Sequence, residues 1–297
     1  METPERILRR LEFSVVRRLD GFLFGDYTGL FYGPSLDLAE VREYVPGDEV
    51  RRIDWNVTAR TTRLHVRQYR EEKELTAWLA VDLSPSMGFG TRRVLKRQLA
   101  AEFCGAASYI VTRHGDKVGA VFFPQPYLIP PRTGRRQVLR VLHALQQLPS
   151  QPASGRTDLA RVLRDLHRML RRRSLVFVVS DFLSEDGWEV PLRQLGHRHD
   201  VVAVRVTDPA ESELPDVGVV TLQDPETGQQ VRVDTSDPAV RRAYRERVAR
   251  WEARLHEAFR QARVDVLNLS THTSVVEPLV RFVTYRRRRR RWSSPGR

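Results

Sequence analysis

Residues 75–86 read LTAWLAVDLSPS, an apolar run that passes directly into Asp82, Ser84 and Ser86. A stretch of this kind suits a strand buried on both faces, as in a parallel sheet covered by helices. DKVGAVFF (116–123), SLVFVVSDF (174–182), DVVAVRVTD (200–208) and VDVLNLS (264–270) have the same character. YLIPPRTG (127–134) reads as a short edge strand with a turn. Between the strands lie helical stripes. Leu95, Leu99, Phe103, Ala106 and Ile110 form one, Val138, Leu142, Leu145 and Leu148 a second, and Leu159, Val162, Leu163, Leu166 and Leu170 a third, with a further helix near 188–197. Strands alternating with helices predict right-handed crossovers and a doubly wound, mostly parallel α/β sheet.

Working outward, residues 217–235 read as a hairpin turning at Asp224-Pro225-Glu226-Thr227-Gly228. Asp237-Pro238 then opens a helix, as cap and first-turn proline. Its stripe is Val240, Tyr244, Val248, Trp251, Leu255, Phe259 and Ala262, and a closing helix is expected over 275–283. Toward the N-terminus, residues 4–20 place Leu8, Leu11, Val15 and Leu19 on one helical face. Glycines at 21, 25, 29 and 33 follow, then a densely charged stretch over 38–60 and a strand-like alternation from Leu64. The expected division is an N-terminal segment (1–74), an α/β domain (75–285) with a hairpin insertion at about 217–235, and a basic tail (286–297).

The 297 residues carry 50 Lys plus Arg against 37 Asp plus Glu, a net charge of +13. Seven arginines, Arg286 to Arg291 and Arg297, account for more than half of it and leave +6. A solvated terminus is the expected reading of that run, ahead of a nucleic-acid or lipid contact. At 41% hydrophobic residues the chain can bury a core and is not a disordered sequence. The single Cys104 excludes an intramolecular disulfide and falls in an apolar helical pattern, which predicts packing. METPERILRRLEF has no apolar leader core, and no apolar run reaches the roughly eighteen residues of a membrane span, so a cytoplasmic protein is expected.

The chemistry sits where strands end in oxygen-bearing side chains. Asp82, Ser84 and Ser86 alternate after the first sheet strand, Asp181 ends another, and Thr157 precedes a helix. If the sheet is wound as expected, the three segments meet at the strand C-termini, where open α/β sheets bind ligands. Two carboxylates and three hydroxyls form a hard oxygen set suited to Mg²⁺, and also to Mn²⁺ or Ca²⁺. Two negative charges leave a dication electrophilic, with a position that a partner's acidic residue can fill. Asp158 beside Thr157 is expected to cap its helix.

Other chemistries find less support. There is no G-x-S-x-G elbow and no Walker motif, so any ATPase must be another chain. His197-Arg198-His199 lacks a third ligand at zinc spacing and reads as surface. Phosphoryl transfer through Asp82 is the enzymatic alternative, but Ser84 stands where a DxD phosphatase has its second acid. Nucleic-acid binding through the arginine run and Trp292 lacks an accompanying motif. The expected protein is not an enzyme.

DLSPS, GRTDL and VVSDF together resemble the von Willebrand factor A domain with its metal-ion-dependent adhesion site. REYVPGDEVRRIDWNVTAR, Arg42 to Arg60, resembles the signature of the domain-of-unknown-function 58 proteins, which join such a segment to an A-type domain. The resemblance spans roughly residues 20–285. It implies that Asp82, Ser84 and Ser86 form the first metal motif and Thr157 the threonine loop, with Asp181 the distal aspartate that often reaches the metal through water. It also implies partnership with an AAA+ ATPase of the MoxR type, in systems that assemble or mature other proteins. Some members carry N-terminal membrane helices, which are not found in this sequence.

Within the signature, Arg42, Glu43, Asp48, Arg51, Arg52, Asp54 and Arg60 are expected to form a charge network around Tyr44 and Trp55, with a turn at Pro46-Gly47-Asp48. Arginine forks on buried carboxylates would lock this segment onto the α/β domain. A docking face is the alternative.

Overall fold

The apolar runs become the five parallel strands of one sheet: β3 (Thr76–Asp82), β4 (Lys117–Phe123), β6 (Leu175–Ser180), β7 (Asp200–Thr207) and β10 (Asp265–Ser270). The structure is a computed structural model and describes residues 3–12, 40–45, 48, 50, 53–68, 75–149 and 157–293. Its sixth strand, β5 (Tyr127–Arg132), joins antiparallel at the edge beside β4, as the sequence predicts. The spatial order is β10-β7-β6-β3-β4-β5. From β3 the chain moves outward to β4 and β5, then returns to build β6, β7 and β10 on the other side. The winding therefore reverses between β3 and β6, the strands that carry Asp82 and Asp181 at their ends.

Period-two alternation divides the core into two layers. Ala77, Leu79 and Val81 face α2 (Lys96–Arg113), α3 (Arg135–Gln147), α7 (Val276–Ser293) and the helical residues 4–12. Trp78 and Ala80 face α4 (Leu159–Met169), α5 (Glu189–Arg198) and α6 (Pro238–Ala262). Gly119 on β4 is needed beside Trp78, because a Cβ there would lie 2.8 Å from the indole ring. Cys104 is fully buried, and burial holds its thiol above the usual pKa.

The N-terminal helix is fastened to the domain. Ile7, Leu8 and Leu11 enter the core, and Arg10 pairs with buried Glu102 at 2.8 Å, a carboxylate that Arg93 also holds. Val15, Leu19 and the glycine-rich stretch lie outside the described residues. Further on, β1 (Glu40–Glu43) pairs antiparallel with β2 (His65–Gln68), and α1 (Trp55–Thr61) lies between them in the chain. The predicted hairpin forms from β8 (Val219–Gln223) and β9 (Gln230–Asp234). Along α6 only the C-terminal part of the predicted stripe, Leu255, Phe259 and Ala262, is fully buried. Tyr244, Val248 and Trp251 are half-buried.

Two expectations need correction. The helix α7 continues through the arginine run to Ser293, and Arg286 is not a solvated tail residue. Its guanidinium is 11% exposed and bridges Asp200 at 2.6 Å and Asp265 at 2.7 Å. His199 is not a surface residue either. It is 3% exposed at the C-terminus of α5, edge-on to His167, and neither ring nitrogen has a hydrogen-bond partner.

Burial, with Arg198, His167 and Arg173 nearby, lowers the His199 pKa to about 4. An unfolded histidine takes up a proton near pH 6.5, whereas the folded one refuses it until about pH 4. Its contribution to stability is therefore complete above pH 6.5 and is lost as the pH falls through that window, by up to about 1.4 kcal/mol per unit. His199→Phe should flatten this part of the stability profile when urea unfolding is compared at pH 7 and pH 5. An unchanged slope in the variant contradicts the assignment.

Candidate functional site

Three chain segments build the site. At the end of β3, Leu83 N–H bonds to Phe123 O at 2.7 Å, extending the sheet by one step. A 3₁₀ turn over Pro85–Gly88 follows, with Ser84 at its start. Asp82 shapes this bend, because its Oδ1 accepts the Ser84 N–H at 2.9 Å, the side-chain-to-backbone closure that aspartate favours in turns. After β6, Asp181 Oδ1 accepts the Leu183 N–H at 2.9 Å. Between them Phe182 takes a left-handed φ of 60° and inserts its ring beside Trp188 and Phe259. Thr157 stands before α4, where Asp158 caps Arg161 N–H at 2.8 Å, as expected.

All five oxygen residues read from the sequence are buried at the switch point, between 1% and 6% exposed. Ser84 Oγ and Ser86 Oγ are 3.1 Å apart, and Ser86 Oγ donates to Asp181 Oδ2 at 2.8 Å. Ser180 Oγ donates to Asp82 Oδ2 at 2.6 Å. Thr157 joins through a sixth residue, Glu226 at the tip of the hairpin. Thr157 Oγ1 donates to Glu226 Oε2 at 3.4 Å, and Ser86 N–H donates to Glu226 Oε1 at 3.3 Å. Among the described residues no three His, Cys, Asp or Glu side chains cluster as a metal cage. The available donors are carboxylates and hydroxyls together.

The main participant missed from the sequence is Lys96, at the first turn of α2 and wholly buried. Its Nζ donates to Asp181 Oδ2 at 2.7 Å and to Glu211 Oε1 at 2.5 Å. Burial alone would lower its pKa, but Asp181 and Glu211 outweigh burial and hold it above the ordinary lysine value. The group is therefore an ammonium and cannot act as a base. Asp208 anchors the adjacent loop by accepting from Thr91 and Thr271. Its burial is outweighed by these bonds, which bring its pKa to about 2.

Carboxylates reach the site from several segments, and two of them, Asp181 and Glu211, share the Lys96 ammonium. Asp82, Asp181, Glu211 and Glu226 supply four carboxylates. Burial, reinforced by the charge of Asp181, raises Asp82 to about 7 despite its bonds from Ser180 and Ser84. Burial likewise raises Glu226 against its bonds from Ser86 and Thr157. A sequence signal for Lys96 exists: it is one of only three lysines among fifty cationic residues. No periodicity marks Glu226.

The described signature residues make local bonds. Asp54 is buried and caps α1, accepting Val57 N–H at 3.2 Å. Asp48 accepts Val45 N–H at 2.9 Å, and the Tyr44 N–H bonds to Leu64 O. Trp55 is 65% exposed. Arg60 is exposed, and Glu43 pairs with Arg63. Gly47, Arg51, Arg52 and the side chain of Arg42 lie outside the described residues.

The family described as "Protein of unknown function DUF58" matches residues 40–254. The uncharacterized protein Rv1480 of Mycobacterium tuberculosis is 42% identical over 283 residues, covering 95% of this chain and 89% of its own length. The uncharacterized protein MAV169 of Mycobacterium avium is 37% identical over 160 residues, 54% of this chain and 94% of that one. Among solved structures, BatB from Bacteroides thetaiotaomicron is similar at 13% identity and a TM-score of 0.49, over 72% of this chain and 99% of that one. The SpRpn10 VWA domain is similar at 11% identity and a TM-score of 0.38, over 70% of this chain and 94% of that one.

Proposed function

Because this chain belongs to the DUF58 family of proteins of unknown function, we propose that its α/β domain is a non-enzymatic protein-interaction module in which a bound divalent cation, Mg²⁺ first among candidates, receives an acidic residue of a partner. The observation that carries this reading is the convergence of Asp82, Ser84, Ser86, Thr157 and Asp181 at the reversal of the sheet. A small hard dication suits the donors, which are all oxygen, and suits the paired buried carboxylates Asp82 and Asp181. Asp82, Ser84, Ser86 and Thr157 would hold it. The cation would supply an electrophilic position for a carboxylate.

Asp181 has a different part. Its Oδ1 is taken by Leu183 N–H and its Oδ2 by Ser86 and Lys96. By accepting the Ser86 O–H hydrogen bond it would leave that hydroxyl's lone pairs for the cation. Lys96 compensates Asp181, so the cation meets a modest net charge and remains open to an external acid.

A serine hydrolase reading would need a strong base for Ser86, but its hydroxyl bonds the Asp181 carboxylate, which the Lys96 ammonium also holds. Phosphorylation of Asp82 would need exposure, yet that carboxylate is 3% exposed and bonded on both oxygens. Both points favour binding over catalysis. The partner class we propose includes an AAA+ ATPase of the MoxR type, as the family resemblance implies.

Capture of that ATPase by the full chain tests the reading. It should require Mg²⁺, fail with a chelator, and weaken at least tenfold in Ser84→Ala. Capture that neither chelation nor Ser84→Ala changes would contradict metal-mediated docking.

A further inference from the structure

The carboxylate of Glu226 has no evident structural reason to be where it is. It comes from a residue 140 positions beyond Ser86 and enters where the charge of Asp181 already acts on it. Adding a like charge to such a place is unfavourable unless a cation is to be met there. Its oxygens bridge Ser86 N–H on the β3 side to Thr157 Oγ1 on the α4 side, thereby spanning two of the three segments. This is how an incoming acidic side chain would approach the centre.

The hairpin is firm at its tip and base and loosely seated between them. At the tip, Asp224 accepts from Glu226 N–H at 2.9 Å and from Thr227 Oγ1 at 2.7 Å. Gly228 closes the turn with φ 72°, and its N–H bonds to Asp224 O at 2.8 Å. At the base, Thr235 is fully buried and bonds across to Val217 and Gly218. Asp216 pairs there with Arg241 of α6. Among the described residues the ribbon's strands pair with each other alone and leave Val219, Leu222 and Val231 at 40–60% exposure. The two bonds that seat Glu226, at 3.3 and 3.4 Å, are longer than firm N–H···O or O–H···O bonds. The cross-strand pair Val220 and Val233 is half-buried, and a two-stranded ribbon of this kind is marginal by itself.

We propose that the hairpin tip is a resident occupant of the docking position, and that the partner presents an acidic residue on a tight turn that displaces Glu226. The inference rests on the reading that this centre binds a cation and accepts a carboxylate. It adds that the site is closed in cis and that Asp-Pro-Glu-Thr-Gly is an internal copy of the partner's motif. A tethered competitor acts at an effective concentration on the order of millimolar, so an external acid must outbid it. Removing Glu226 should therefore strengthen binding of an external acidic turn.

Two measurements on the full chain decide this. The first, without metal, compares hydrogen exchange over residues 84–88 in wild type and Glu226→Ala. We expect at least fivefold faster exchange of Ser86 N–H in the variant, and equal exchange overturns the occupancy. The second loads both proteins with Mn²⁺ and follows water-proton relaxation as a peptide of residues 222–230, LQDPETGQQ, is added. The peptide should bind Glu226→Ala at least tenfold more tightly than wild type and displace water from the ion. The same peptide with Gln for its Glu should not. Equal affinity for the two proteins, or equal binding of the two peptides, overturns the proposal. Concentration-dependent self-association of wild type that Glu226→Ala abolishes would make the occupant a second copy and overturn the choice of partner. Wild type that binds no Mn²⁺ defeats the cation reading of the preceding subsection, while the exchange measurement still decides whether Glu226 occupies the site.

Discussion

Asp82→Asn is expected to lower Mg²⁺ affinity by at least about 100-fold, beyond the 10–100-fold typical of losing an outer-sphere partner. The reason lies in how the carboxylates are compensated. Asp181 already faces the Lys96 ammonium, whereas the bonds to Asp82 come from the uncharged Ser84 N–H and Ser180 hydroxyl. Asp82 therefore supplies the anionic donor for the cation, and the hydroxyls of Ser84, Ser86 and Thr157 cannot replace that charge. Asparagine keeps the shape and removes one of two buried like charges, so the metal-free variant should unfold at the same temperature as wild type or slightly above it. Calorimetric titration of both proteins with Mg²⁺ checks the affinity. Equal binding would remove Asp82 from the site.

Lys96→Met carries the largest expected effect on stability, a loss of about 3–5 kcal/mol, the range for removing one partner of a buried ion pair. The ammonium is wholly buried and bonds Asp181 at 2.7 Å and Glu211 at 2.5 Å. Methionine occupies a similar volume, so the loss comes from charge. Without the cation, Asp181 faces Asp82 uncompensated, and Glu211 loses its bond at the loop that Asp208 anchors. Urea unfolding at pH 7 measures the difference. A loss under about 1 kcal/mol would show that the carboxylates are accommodated without Lys96.

The fold was readable because its governing signal is local. LTAWLAVDLS and SLVFVVSDF are apolar over their whole length, as strands with helices on both faces must be, and the stripe from Leu99 to Ile110 has helical spacing. Asp82 and Asp181 could be placed because each directly follows or ends such a strand, and the winding brings those ends together. Lys96 and Glu226 were not readable in that way. Their partners lie 85 and 140 residues away, and a polar residue on a helix or in a turn looks solvated until the topology is known. The same holds for His199 in a polar HRHD stretch and for Arg286 at the head of an arginine run.

The central claim is that one divalent cation binds at the reversal of the sheet. Paramagnetic broadening by Mn²⁺ in the ¹⁵N-labelled full chain tests it directly. The account predicts that substoichiometric Mn²⁺ selectively broadens the amides of residues 82–87, 157–158, 181–183 and 226, and that excess Mg²⁺ restores them. Broadening centred elsewhere, such as on Glu185 and Asp186, or no selective broadening at all, would contradict it.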